Sequence, residues 1–124
     1  MHRSRLTAIG IDVHADVHER EATFWSGALG HPIDPAEEGD AYITVGHGDG
    51  LEVFVQRIGE GAPRYHLDVE TDDVAAEVAR LEALGAERVE QIRTWWVMRD
   101  PAGLLFCVVQ PQRDDFPAGA STWD

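Results

Sequence analysis

Ile11-Asp12-Val13-His14-Ala15-Asp16 and Leu67-Asp68-Val69-Glu70-Thr71-Asp72 are two versions of one hexapeptide, and their reading decides the fold. Each joins a stretch of alternating apolar residues to a stretch with helical spacing. Further matches follow in the same order. Ala28-Leu29-Gly30 returns as Ala83-Leu84-Gly85, and Gly50-Leu51-Glu52-Val53-Phe54-Val55 returns as Gly103-Leu104-Leu105-Phe106-Cys107-Val108. The offset drifts slightly between matches, as insertions in turns would cause. Self-similarity of this kind marks a duplicated supersecondary unit.

The unit can be read from its spacing. Residues 6–13 alternate, with Leu6, Ala8, Gly10 and Asp12 on one face and Ile9, Ile11 and Val13 on the other, which is the period of a strand. Val17, Phe24, Trp25, Ala28 and Leu29 then fall on a helical stripe that Gly30 ends. In the second copy Tyr65, Leu67 and Val69 alternate with His66, Asp68 and Glu70. Asp72 or Asp73 caps a helix whose stripe is Val74, Val78, Leu81 and Leu84, stopped by Gly85. Three short strands are expected after each helix: near 31–33, 41–45 and 51–56, and near 87–91, 94–98 and 104–109. The run Gly46-His47-Gly48-Asp49-Gly50 reads as a hairpin turn, since a phosphate cradle would need a helix to follow it. The sequence therefore predicts β-α-β-β-β twice, as module one over about 5–60, module two over about 61–112, and a tail over 113–124.

Composition excludes several function classes. The 124 residues carry ten Lys+Arg against twenty-three Asp+Glu, a net charge of −13, which disfavours nucleic acid and anionic membrane as partners. All ten basic residues are Arg, so Lys Schiff-base chemistry is excluded. The one cysteine, Cys107, rules out an internal disulfide and a Cys-only zinc site. No apolar run reaches membrane-spanning length, and a cytoplasmic location is expected.

The paired βαβββ units, Phe24-Trp25 near the end of the first helix, and Asp100-Pro101-Ala102-Gly103 before the last strand resemble the vicinal oxygen chelate superfamily. That group includes glyoxalase I, bleomycin-resistance proteins and extradiol dioxygenases. His66-Leu67-Asp68-Val69 and Phe106-Cys107-Val108-Val109 resemble its glyoxalase-like domain proteins most, and the resemblance covers about residues 5–111. It implies an α+β chain, with two βαβββ modules forming a curved mixed sheet around a cleft and the helices outside. It also implies a homodimer in many members.

In metal-dependent members, the resemblance places ligands on the first and last strands of each module. Only His66 falls on such a position as a plausible ligand. The first-module count lands on Gly10 or Ile9, and the last-strand positions are Cys107 and Phe54. A Zn²⁺ or Fe²⁺ site needs at least three protein ligands, so no standard metal site and no cofactor is expected. A divalent metal would need substitutes from Asp12, His14, Asp68, Glu70 or Cys107. The implied cleft is lined by Asp12, His14, Phe54, His66, Asp68 and Cys107, with Trp25, Trp95 and Trp96 as candidate walls. Adjacent Trp95 and Trp96 must point to opposite faces of a strand. Asp68 has Arg57, Arg64 or Arg99 as candidate neutralising partners. Trp123 in the tail is either frayed or docked on a partner subunit.

Three functions follow as expectations. The first is a small-molecule binding or sequestering protein of the resistance type, its ligand cationic or aromatic. The alternative is a divergent metal-dependent lyase or dioxygenase built on His66. The third is an interaction module whose cleft its own side chains fill.

Overall fold

A computed structural model of the chain describes residues 1–35, 39–47 and 50–124. Its strands are β1 His2–His14, β2 Tyr42–His47, β3 Glu52–Ile58, β4 Arg64–Thr71, β5 Glu87–Ile92, β6 Trp95–Arg99, β7 Leu105–Val109 and β8 Ser121–Trp123, and its helices are α1 His18–Leu29 and α2 Val74–Ala83. The architecture is α+β with mixed strand pairing. Contacts group the chain into two compact units, Ala8–His66 and Met1–Thr7 with Leu67–Asp124.

In the unit over 8–66, β1 pairs in parallel with β3, from Ala8 opposite Glu52 to His14 opposite Ile58, and β2 runs antiparallel on the other side of β3. The odd-numbered residues of β1 and β3 turn toward α1, where Ile11, Val13, Ala22, Val45 and Val55 form the core and Trp25 and Ile43 pack against it. The helix is phased differently from its sequence reading. A 3-10 turn over Ala15–Val17 precedes it, and α1 starts at His18. His18, Ala22 and Trp25 then face inward at i, i+4 and i+7. Phe24, expected on the core stripe, is 60% exposed and meets Trp25 edge-on at 5.3 Å.

The strand expected near 31–33 does not form. Pro32 and Pro35 offer no backbone N–H to a ladder, and the Asp34 N–H donates to the Thr44 carbonyl of β2 (3.0 Å). The expected Gly46–Gly50 turn includes residues 48 and 49, which lie outside the described residues.

In the other unit, β7 pairs in parallel with β4 and antiparallel with β6, and β5 continues antiparallel to β6. The core is Val78, Met98 and Val108, with Val74, Leu81, Trp96 and Phe106 packed against it. Asp73 is the cap of α2, its side chain accepting the Ala76 N–H at 3.0 Å. Leu84 lies beyond the helix and is 67% exposed, so it does not extend the stripe.

The tail is paired within the chain. β8 pairs antiparallel with the start of β1, placing Trp123 opposite His2, and Trp123 Nε1–H donates to Ser4 Oγ (2.9 Å). The Arg80 guanidinium lies 3.8 Å over the Trp123 ring. Among the described residues no helix is long and apolar enough to cross a membrane.

Candidate functional site

The even-numbered residues of β1 turn away from α1, and they carry the expected polar positions. Gly10 lies opposite Phe54 and Asp12 opposite Gln56, with Thr44 and Tyr42 of β2 next across the ladder. His66 fills the space a side chain at position 10 would need. A Cβ placed there would stand 2.2 Å from His66 Cε1. The absence of a ligand side chain at position 10 is thus a packing requirement. An isolated Gly inside a strand signals such a close approach.

The imidazole is held by Asp12. Nδ1 stands 3.0 Å from each carboxylate oxygen and donates to Oδ2. Phe54 meets the imidazole edge-on at 5.5 Å, and Tyr42 meets Phe54 at 6.0 Å, so an aromatic row runs beside the polar pair. Asp12 is 4% exposed. Arg64, two residues before His66 on the same side of β4, brings Nε to 3.4 Å from Asp12 Oδ2. The Arg64 charge therefore lies beside Asp12. Two buried atoms of this cluster, Asp12 Oδ1 and Arg64 Nε, have no hydrogen-bond partner among the described residues. His14 is half-buried at the end of β1, beyond Asp12 on the same face.

A family model for a glyoxalase-like domain matches residues 8–109. The chain belongs to the glyoxalase-like domain family. Several solved structures share the fold of this glyoxalase-like protein. It is similar to a methylmalonyl-CoA epimerase from Streptomyces coelicolor in complex with 2-nitronate-propionyl-CoA (14% identity, TM-score 0.54, 86% of this chain and 94% of that one). It is also similar to a 4-hydroxymandelate synthase variant from the same organism (14%, 0.59, 92% and 51%) and to a hypothetical protein from Bacillus halodurans (14%, 0.58, 90% and 98%). These likenesses carry the fold alone. No curated protein matches.

The remaining expected residues of the glyoxalase-like chain lie on β4, β6 and β7. Asp68 and Cys107 are register partners, and Val97 is the partner of Cys107 on β6. Trp95 shares their face by alternation. Trp96 turns the other way, into the α2 core, with the Arg88 guanidinium 5.0 Å from its ring. Trp25 likewise belongs to the α1 core. Within the unit that includes 67–124, the register with β7 sets Cys107 beside Asp68, a thiol next to a carboxylate.

Glu70, a candidate substitute ligand, is committed elsewhere. It is fully buried, and it accepts Arg5 Nε (2.6 Å) and the backbone N–H groups of Gln112 (2.6 Å) and Arg113 (3.1 Å). Burial alone would raise its pKa, but these donors outweigh it and hold the carboxyl below its usual range. Glu77 of α2 is also fully buried, meeting Arg80 through both oxygens at 2.8 Å and His2 Nε2 at 2.8 Å. There, too, burial pushes upward, and hydrogen bonds from Arg80, Ser4 and His2 bring the carboxyl down to about 2. Both carboxylates anchor the chain ends and are not presented to a ligand. On the α1 side of the unit over 8–66, a cavity of about 590 Å³ is lined by His18, Asp34, Ile43 and Arg57, among others. It contains none of the expected site residues.

Proposed function

We propose that this glyoxalase-like protein binds a small organic molecule that carries an aromatic group, on the face of β1 and β3 turned away from α1. The observation supporting this is the buried Asp12–His66 pair set against the Phe54 and Tyr42 rings. Polar groups that fix orientation beside an aromatic contact surface are the usual make-up of a small-molecule site. A resistance or sequestering role is the corresponding biological reading, exercised by a homodimer. The test is amide chemical-shift mapping of the full chain with benzylammonium, benzoate and benzamide. Concentration-dependent shifts at Gly10, Asp12, Phe54 and His66 are expected. A panel that leaves all four unshifted at millimolar concentration refutes the reading. Light scattering checks the dimer, and a monomer mass at micromolar concentration overturns that part.

A second reading, a metal-dependent lyase or dioxygenase, is favoured by the bond between His66 and Asp12. It occupies Nδ1 and leaves Nε2 as the ring atom for a metal, the usual arrangement of a carboxylate-supported histidine ligand. Held at His66, a divalent metal would supply Lewis-acid polarisation of a substrate oxygen. Elemental analysis of protein purified without affinity-tag metal tests this reading. Stoichiometric zinc or iron that is lost in His66→Ala supports it, and metal-free protein whose melting temperature ignores added Zn²⁺ refutes it.

A further inference from the structure

Two atoms of the Asp12 cluster that make no hydrogen bond among the described residues are of opposite kinds, and this specifies the ligand group they would accept. Asp12 Oδ1 is an acceptor. Arg64 Nε carries an N–H donor. Both atoms are buried and without a hydrogen-bond partner among the described residues. They are neighbours, because Nε lies 3.4 Å from the other oxygen of the same carboxylate. Leaving such groups unmet is costly, and burial is normally accompanied by a partner.

The charges of the cluster narrow the choice further. The Asp12 carboxylate already faces the Arg64 guanidinium, so the two charges of this pair offset each other. A carboxylate ligand reaching Arg64 Nε would meet Asp12, and an ammonium reaching Asp12 Oδ1 would meet Arg64. In each case a like charge is brought into a buried site of low effective dielectric, which disfavours the ionised ligand. An uncharged group that both donates and accepts meets neither repulsion. A carboxamide has its N–H and C=O on one carbon, so it can donate to Oδ1 and accept from Nε together. The aromatic row of Phe54 and Tyr42 extends from the same face and would take the body of the molecule.

We infer that the ligand presents an uncharged donor–acceptor group of the carboxamide type to Asp12 and Arg64, with an aromatic or flat apolar body against Phe54. This inference rests on the small-molecule reading above and names the ligand's polar group.

The experiment compares benzamide, benzoate and benzylammonium, three probes with one ring and different polar groups, by the same shift mapping on the full chain. Benzamide is expected to bind at least tenfold more tightly than either ion. Arg64→Met, which keeps the stem of a partly exposed side chain, is expected to bring benzamide down to the level of the other two. Tighter benzoate would mean that Arg64 acts as a bare cation, and tighter benzylammonium that Asp12 acts as a bare anion. Either outcome overturns the inference and leaves the small-molecule reading standing. A benzamide preference that survives Arg64→Met also overturns it. If none of the three shifts the face, water satisfies both atoms, and the inference and the reading beneath it fail together.

Discussion

Gly10→Ala is the sharpest perturbation of the site, because the structure states what the new methyl group would strike. A Cβ at position 10 would lie 2.2 Å from His66 Cε1, 2.6 Å from Nε2 and 2.7 Å from Nδ1. Ordinary contact would require the ring to move by roughly 1 Å, and it has little freedom to do so. It is 7% exposed, held by Asp12 at 3.0 Å and backed by Phe54. Moving it breaks a hydrogen bond to a charged group, worth ~1.5–3 kcal/mol, and strains the rotamer by ~0.5–1.5 kcal/mol. The expected destabilisation is about 3 kcal/mol, read from the midpoint of urea unfolding. A double-mutant cycle isolates the cause: in a His66→Ala background the same Gly10→Ala change should cost less than about 0.5 kcal/mol, since the obstructing ring is gone. Equal costs in the two backgrounds would refute the packing of His66 over Gly10, and with it the geometry of the candidate site.

Other expectations follow from the buried ion pairs and the chain ends. Glu77 has a folded-state pKa of about 2 against an ordinary 4.5, so its contribution to stability is complete above 4.5 and is lost as the pH falls from there through about 2. Unfolding free energy should therefore drop by ~3 kcal/mol across that window, and Glu77→Gln should flatten the drop; an unchanged slope in that variant would exclude Glu77 as its source. Trp123→Phe should cost about 1 kcal/mol through the lost bond to Ser4, and Trp123→Ala about 3 kcal/mol as its packing and the Arg80 contact go too. Variants as stable as the wild type in urea would show that the tail does not dock. Asp73→Ala should cost about 1 kcal/mol and Asp73→Asn only a few tenths, because Asn also caps a helix. Equal melting temperatures for the two variants would contradict the bond to the Ala76 N–H.

Much of this protein was legible in its residues because the relevant physics is local. Alternation over 6–13 and 65–70 marks strands from a single stretch, since successive side chains on a strand must face opposite ways. Val74, Val78 and Leu81 identify one face of α2, and Asp73 its start, from spacing alone. The repeat matches of Asp12 with Asp68 and of Phe54 with Cys107 reveal the duplicated architecture. The family then follows from the pattern. Asp12, Phe54 and His66, named from that pattern, do share one face of the unit over 8–66.

Tertiary packing decided what local pattern could not. The 3-10 turn before α1 shifts the helix phase, so Phe24 points to solvent and His18 to the core, a choice made by how the helix seats on β2 and β3. The prolines at 32 and 35 removed a strand that the apolar content of 31–33 had suggested. Position 10 has no side chain because an imidazole from a strand far along the chain occupies its space. Arg64 faces Asp12, and Glu70 is taken up by Arg5 and the backbone at 112 and 113. Buried charges take their partners from whatever the fold brings within reach, and sequence spacing holds no record of distances between residues that only folding makes neighbours.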